Sequence, residues 1–436
     1  MRKSPSALKG RRPFATILAV PVIAALAVAG CSSSGAGTSS SSSVAGNATG
    51  ASSSSTYEAT SVALTAAQKA AILEKAFLTP AIKEGDLDST TAQALYQIGH
   101  DYTTAQVNTA WKCQTEATCK IGNGPLTIAI LDGSGSNQWR HLSHAAIALQ
   151  MTGYPGIGTL ISLDAGGSLQ TMQADLQSLI ARKVSGIIAV DDFGAAMTPS
   201  FVQAKAAGIP VVTYAQGPGS DASSVLVSQV QTNFCSDGQQ MAIATVNLIG
   251  SSGNVAFFTG TPGNPQGAGW ESCATAWFSA HAPGIKVVSK SNTDWSEAGT
   301  VSATSALIAS GQKVNAILYD YALQTKNIVQ SYQAAHLKVP AQVTWTYDNG
   351  LMQMWQTDQK SSDPWGLAYS SSINFEGTIA FTALMDHLAG QPVPSIIDFP
   401  LPFVSAKPGE YQASQPDNYP GPTLMPDTLL TKVLGQ

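Results

Sequence analysis

From Pro125 to about residue 400 the chain alternates short apolar runs with amphipathic segments of helical length, and this alternation limits its fold more than any other feature. The runs are "LTIAIL", "GTLISL", "VSGIIAV", "GIPVVTY", "NVAFFTG", "IKVVSK", "VNAILYD", "QVTWTYD" and "WGLAYSS". Each has the length and composition of a buried strand. The segments between them, such as "SLQTMQADLQSLIARK" with Leu169, Met172, Leu176, Leu179 and Ile180 on one face, repeat at the helical period. Strand and helix in succession predict an α/β fold with parallel sheets covered by helices on both faces. The stretch is longer than one such sheet ordinarily organises, so two lobes are expected. A hydrophobic content of 44% is enough to fill both cores.

The N-terminal part has a different character. Arg2, Lys3, Lys9, Arg11 and Arg12 precede a 17-residue apolar run from Phe14 to Gly30. That layout is a secretory signal peptide over residues 1–30, and the run is short for a spanning helix, which needs about 20 residues. Its end, Leu26-Ala27-Val28-Ala29-Gly30-Cys31, resembles the lipobox of bacterial lipoproteins. The resemblance implies that Cys31 is acylated and becomes the new N-terminus. Cleavage there removes five cations and no carboxylate, taking the formal net charge from −5 to −10. Residues 31–56 are almost entirely Ser, Gly, Ala and Thr, the composition of a flexible tether. Residues 57–124 carry helix signals: Thr65 as cap of "TAAQKAAILEKAF", Pro80 as its stop, and a second helix in "STTAQALYQIG". They form a helical extension with no chemistry of their own.

Besides Cys31 the chain has Cys113, Cys119, Cys235 and Cys273. An even number in an exported protein indicates disulfides, for which the sequence allows three connectivities. Cys113–Cys119 with Cys235–Cys273 is preferred because each pair then stays within one unit. A metal is not expected, since the six-residue separation is not that of a zinc site and no histidine lies near either pair. His141 and His144 lack a third ligand in view, and Asp191-Asp192 reads as a loop that meets solvent or ligand hydroxyls rather than a cation site. No cofactor is expected. Only 11% of residues are charged, which argues against a nucleic-acid surface.

"LQSLIARKVSGIIAVDDFGAAMTPSFVQAKAAGIPVVTY" resembles the first lobe of the type I periplasmic binding proteins, the ribose- and galactose-binding group of ABC-importer receptors. In that family a helix leads into a "GVDAIIV" strand, and a later helix ends in "AAGIPVV" before the strand whose tip meets ligand. "GNVAFFTGTPGNPQGAGWESCATAW", "APGIKVVSKSNTDW", "VNAILYD", "VTWTYDNG" and "LAGQPVPSIID" continue the likeness, which spans roughly residues 125–405. The resemblance implies two Rossmann-like, doubly wound lobes joined by a three-segment hinge, with ligand closed between them. Carried over, lobe 1 is residues 125–232 plus 373–403 and lobe 2 is residues 233–372 plus 404–436.

The resemblance also places the ligand contacts. Where the family has Asn-Pro-Phe-Phe, "SNQWR" puts Asn137 on the asparagine and Trp139 on the first aromatic; Trp139 could instead be a helix-start core residue. Asp192 stands in the aspartate-bearing loop. Tyr214 ends the strand whose tip meets ligand, and the sugar-binding Asp-Arg pair is replaced there by Ala215 and Gln216. Trp270 is the approximate counterpart of a second sugar-clamping arginine, and Tyr321 falls near the asparagine of "NDxxA". Trp295, Tyr347 and Asp348 keep family aromatics and an aspartate. Several charged contacts have become aromatic, which suits a ligand with a flat apolar face, a pyranose or an aromatic compound.

The function expected is that of a monomeric solute receptor, lipid-anchored on the outer face of the cytoplasmic membrane in the cell envelope. It would hand a small molecule to an ABC permease and its ATPase. A ligand-sensing subunit for a membrane signalling receptor is the alternative. An enzyme is not expected: the sequence has no Gly-x-Ser-x-Gly elbow, His-Glu-x-x-His or Walker loop.

Overall fold

The computed structural model describes residues 56–321 and 323–435, so the expected signal peptide, Cys31 and nearly all of the tether lie outside the described residues. The described chain begins with three helices, α1 (Ala66–Phe77), α2 (Ser89–Gly99) and α3 (Thr104–Thr115), and a short strand β1 (Thr118–Lys120). Thr65 caps α1 through a reciprocal bond with Gln68, and Asp88 caps α2 through the Thr91 N–H. Each satisfies amide groups that a helix start leaves without partners. The apolar faces of these helices join the main core. Phe77, Leu95 and Ile98 are buried, α2 packs on the later helix that closes lobe 1, and Thr90 donates to Asp386 on that helix at 2.9 Å. The extension is an outer layer of the first lobe.

The first lobe alternates strand and helix up to its last two strands: β2 (Leu126–Asp132), α4 (Gln138–Met151), β3 (Ile157–Asp164), α5 (Leu169–Ala181), β4 (Gly186–Val190), α6 (Thr198–Ala206), β5 (Val211–Tyr214) and β6 (Ser228–Thr232). The chain then enters the second lobe with α7 (Phe234–Ile249), β7 (Ser252–Thr259), α8 (Pro265–His281), β8 (Gly284–Asn292), α9 (Glu297–Ala309), β9 (Ala316–Tyr319), α10 (Thr325–Ala334), β10 (Ala341–Thr344), α11 (Asn349–Asp358) and β11 (Leu367–Tyr369). It returns for α12 (Glu376–Leu388) and β12 (Ile396–Phe399), and ends with β13 (Val404–Ser405) and α13 (Asp427–Val433).

The first sheet has the order β1-β3-β2-β4-β5-β6-β12 and the second β13-β11-β10-β9-β7-β8. All pairs are parallel except β1 with β3 and β11 with β13, at the two outer edges. All nine apolar runs of the sequence are strands. Helices cover both faces of each sheet: α4 and α12 on one side of the first, α5 and α6 on the other, with Leu131, Met172, Leu179 and Phe201 buried between. Three connections cross between the sheets, after β6, β11 and β12. The tail behaves differently from its expected place in lobe 2. β13 pairs with β11 and residues 417–420 lie on the start of α11, but α13 packs on α3 and α4. The buried Leu429 and Leu430 find their apolar partners there, so the chain crosses a fourth time. The disulfides are Cys113–Cys119 and Cys235–Cys273, the second tying α7 to α8.

Candidate functional site

In open parallel sheets ligands gather where the strands end at their carboxyl tips. Here the tips of both sheets face one cavity. Its walls come from the start of α4 (Asn137, Trp139, Arg140), the tip of β5 (Ala215, Gln216), the β8–α9 turn (Trp295), the tip of β9 (Asp320, Tyr321), the tip of β10 (Trp345, Thr346) and the segment from β11 to α12 (Ser371, Glu376). The cavity volume is about 100 Å3. One water needs about 10–15 Å3 on that measure, so a single ring with its substituents is the size of ligand that fits.

Two hydrogen bonds span the cleft. Asn264 Nδ2, before α8, donates to Gln216 Oε1 at 2.7 Å, and Gln138 Nε2 on α4 donates to the Asn418 carbonyl in the tail at 2.7 Å. The β5 tip is shaped for the first of these. Ala215 has a φ of 61°, a left-handed conformation that a residue with a Cβ adopts at a cost of roughly 1–2 kcal/mol. The turn brings the Gln216 carbonyl to the Asp191 N–H at 3.4 Å and its side chain to the opposite lobe.

On the first-lobe side a buried ionic network lies under the wall. Arg140, 5% exposed, donates to Asp132 at 3.2 Å and to Asp192 at 2.8 Å, and His144 Nε2 lies 2.8 Å from Asp132. Burial opposes ionisation of Asp132, but the Arg140 guanidinium, His144 and the Ser134 N–H overcome it and hold the carboxyl down at about 2. Asn137 caps α4, its Oδ1 accepting from the Arg140 N–H at 3.0 Å.

On the second-lobe side Asp320, 3% exposed, organises the wall. Its Oδ2 accepts from Thr259 at 2.5 Å, Trp270 Nε1 at 2.8 Å and Gln266 at 3.4 Å, and its Oδ1 from Trp295 Nε1 at 2.8 Å. Burial raises its pKa to about 6, against the pull of these four donors. Trp295 has a φ of 47° and its indole packs against Gly260, where any Cβ would stand 2.2 Å from the ring. Only glycine permits that approach.

Of the residues singled out from sequence, Asn137, Trp139, Gln216, Trp295 and Tyr321 line the cavity. Five do not. Trp270 is fully buried behind the wall, where its indole N–H serves Asp320. Tyr214 is fully buried and its hydroxyl is bonded to Ser143 at 3.1 Å. Asp192 is turned to Arg140, Tyr347 meets Tyr369 edge-on with ring centroids 4.5 Å apart, and Asp348 caps α11 while paired with Lys326 at 3.1 Å. Only Tyr214 lies within a strand, where alternation turns its side chain to the core instead of the cleft; Trp270 sits inside α8, and Asp192, Tyr347 and Asp348 lie past the ends of β4 and β10 and are held by partners in their own lobe. Sequence reasoning missed Asp320, Arg140, Trp345 and Glu376. A lone aspartate ending the apolar run "VNAILYD" and a glutamate opening the otherwise apolar helix "EGTIAFTALM" were the available signals.

A family model described as periplasmic binding protein domain matches residues 128–392. Among solved structures, the periplasmic binding component of an arabinose ABC transporter from Shewanella sp. ANA-3, bound to L-arabinofuranose, is 18% identical. The match covers 64% of this chain and 91% of that one, with a TM-score of 0.57. An ABC transporter solute-binding protein from Mycobacterium smegmatis with bound glycerol is 20% identical over 65% of this chain and 94% of its own, with a TM-score of 0.56. The fructose-binding periplasmic domain of a hybrid two-component system is 17% identical over 64% and 90%, also with a TM-score of 0.56. At these identities the likeness is one of fold. No curated protein sequence matches the chain.

Proposed function

The chain belongs to the periplasmic binding protein domain family, and from that premise we propose that it is an extracytoplasmic receptor that captures a small solute between its lobes and delivers it to an ABC importer. The cavity carries this reading: it is walled by strand tips of both sheets and bridged by the Gln216–Asn264 and Gln138–Asn418 bonds, as a cleft that closes on its contents requires. Trp295, Tyr321 and Trp139 would cover the ligand's ring face, with Asn137 and Gln216 as polar contacts. The ligand's size points to a monosaccharide or a compound of like dimensions. Ligand binding should quench or shift tryptophan fluorescence. Trp295→Ala removes a stacking surface worth about 0.5–1.5 kcal/mol beyond area burial, so titration should show affinity reduced about three- to tenfold or more. An unchanged Kd would remove Trp295 from the site.

The lipobox-like end of the apolar N-terminal run supports anchoring through acylated Cys31 on the outer face of the cytoplasmic membrane. Among the described residues no helix is long and apolar enough to cross a membrane. Cys31→Ala should therefore move the protein from the membrane pellet to the soluble or secreted fraction, and retention in the pellet would contradict the anchor.

A second reading, a ligand-sensing subunit for a membrane signalling receptor, is favoured by one observation: a hybrid two-component system carries a periplasmic domain of the same fold. Deleting this protein separates the two. Loss of solute uptake supports transport, whereas intact uptake with a lost transcriptional response supports sensing.

A further inference from the structure

The charges around the cavity are unequally satisfied. Three charged residues line it: Arg140, Asp320 and Glu376. Arg140 is held by two carboxylates, and Asp320 accepts from four donors. Glu376 differs from both. It opens α12, is 1% exposed, and its Oε2 has no hydrogen-bond partner. Three other residues that line the same cavity, Trp345 and Thr346 at the β10 tip and Ser371 after β11, also carry a buried side-chain atom without a partner: Nε1, Oγ1 and Oγ. Buried polar groups in native proteins are nearly always bonded, so four unpartnered atoms on residues lining one cavity indicate the chemistry of what fills it. The set contains one carboxylate oxygen, one N–H donor and two hydroxyls. It contains no unpaired cation, which leaves a carboxylate or phosphate on the ligand with nothing to balance it.

We propose that the ligand is a hydroxylated amine of single-ring size, whose ammonium pairs with Glu376 while its oxygens meet Trp345, Thr346 and Ser371. This rests on the cleft reading above and narrows it to a substrate class. The aromatic lining of Trp295, Tyr321 and Trp345 fits the same ligand, because indole and phenol rings attract a cation as well as a flat C–H surface. Burial pushes the Glu376 carboxyl well above the usual range, with Asp237 adding to the rise and the Ala215 N–H and Arg140 opposing it. An incoming ammonium supplies the opposite charge that this site lacks.

The test is calorimetric titration of the full chain with three panels on one scaffold: glucosamine, galactosamine and mannosamine; the parent hexoses; and glucuronic and galacturonic acids. The amino sugars should bind at least tenfold tighter than the hexoses, and the uronic acids not at all. Glu376→Gln should lower amino-sugar affinity at least tenfold and abolish the discrimination. Its thermal midpoint should be equal to or above that of the wild type, because a buried unpaired carboxylate has been removed, which shows that the fold is intact. Hexoses binding as tightly as amino sugars, or discrimination surviving in Glu376→Gln, overturns the amine and leaves the cleft reading standing. Absence of binding in all three panels overturns the amine and the sugar-sized cleft together.

Discussion

Replacing Arg140 with Met should destabilise the protein by about 3–5 kcal/mol at neutral pH, the largest effect expected of any single cavity-wall substitution. The guanidinium is 5% exposed and joins Asp132, which has no exposed side-chain surface, to Asp192. Methionine fills a similar volume but leaves both carboxylates buried without their cation. Urea unfolding followed by tryptophan fluorescence reads the loss as a lower midpoint with an unchanged slope. The pH dependence has a definite sign. Asp132 titrates at about 2 in the folded protein, below its ordinary value of 3.8. The stability this difference contributes is fully present above 3.8 and is lost as pH falls through about 2. The gap between wild type and variant should therefore be widest at neutral pH and shrink under acid conditions. A gap that stays constant from pH 7 to pH 2.5 would mean that Arg140 acts through packing alone.

The same substitution should weaken ligand binding, because α4 begins at the network. Asn137 caps the helix through the Arg140 amide, and Trp139 stands between them in sequence, with the guanidinium carbon 5.5 Å from its ring. A wall whose foundation has shifted presents these two side chains in a changed geometry.

How much of this was legible in the sequence follows from which forces leave a pattern. Strands buried on both faces must be apolar along their whole length, so β2, β4, β5, β7 and β9 stood out as runs. β6 did not, although it lies between two other strands, because its sequence is "SQVQT". Its buried Gln229 is satisfied by the Gly219 N–H and carbonyl, and a polar strand with local partners has no hydropathy signature. β1 and β13 escaped for another reason: they are two- or three-residue edge strands fixed by pairing rather than by composition. At the site, strand tips were legible because helices and strands alternate in fixed order. Which of two successive tip residues faces the cleft was not, because that depends on backbone angles such as the positive φ of Ala215 and Trp295. Trp270 illustrates the limit. It was expected as a ligand contact, yet it lies inside α8 and its indole is bonded behind the wall to Asp320, a contact fifty residues away in sequence.

Asp320→Ala should lower ligand affinity about five- to 150-fold, and that loss has two parts. The Trp295 indole, bonded to Asp320 at 2.8 Å and held in a left-handed turn over Gly260, becomes free to move. Ordering it again on binding costs about 0.5–1.5 kcal/mol. Imperfect stacking then forfeits about 0.5–1.5 kcal/mol more. The sum, about 1–3 kcal/mol, converts to the stated range at 1.4 kcal/mol per tenfold. Stability should fall less than the four lost hydrogen bonds suggest, since the substitution also relieves a buried carboxylate whose pKa burial has raised to about 6. Protonation should imitate the substitution: as pH falls through about 6 the carboxyl becomes neutral and its hold on both indoles weakens, so wild-type affinity should show a drop there that Asp320→Ala lacks. If Asp320 acts on the ligand only by placing Trp295, then Asp320→Ala combined with Trp295→Ala should bind no more weakly than Trp295→Ala alone, because residues in one network do not add. A double variant as weak as the product of the two single losses would show instead that Asp320 touches the ligand itself.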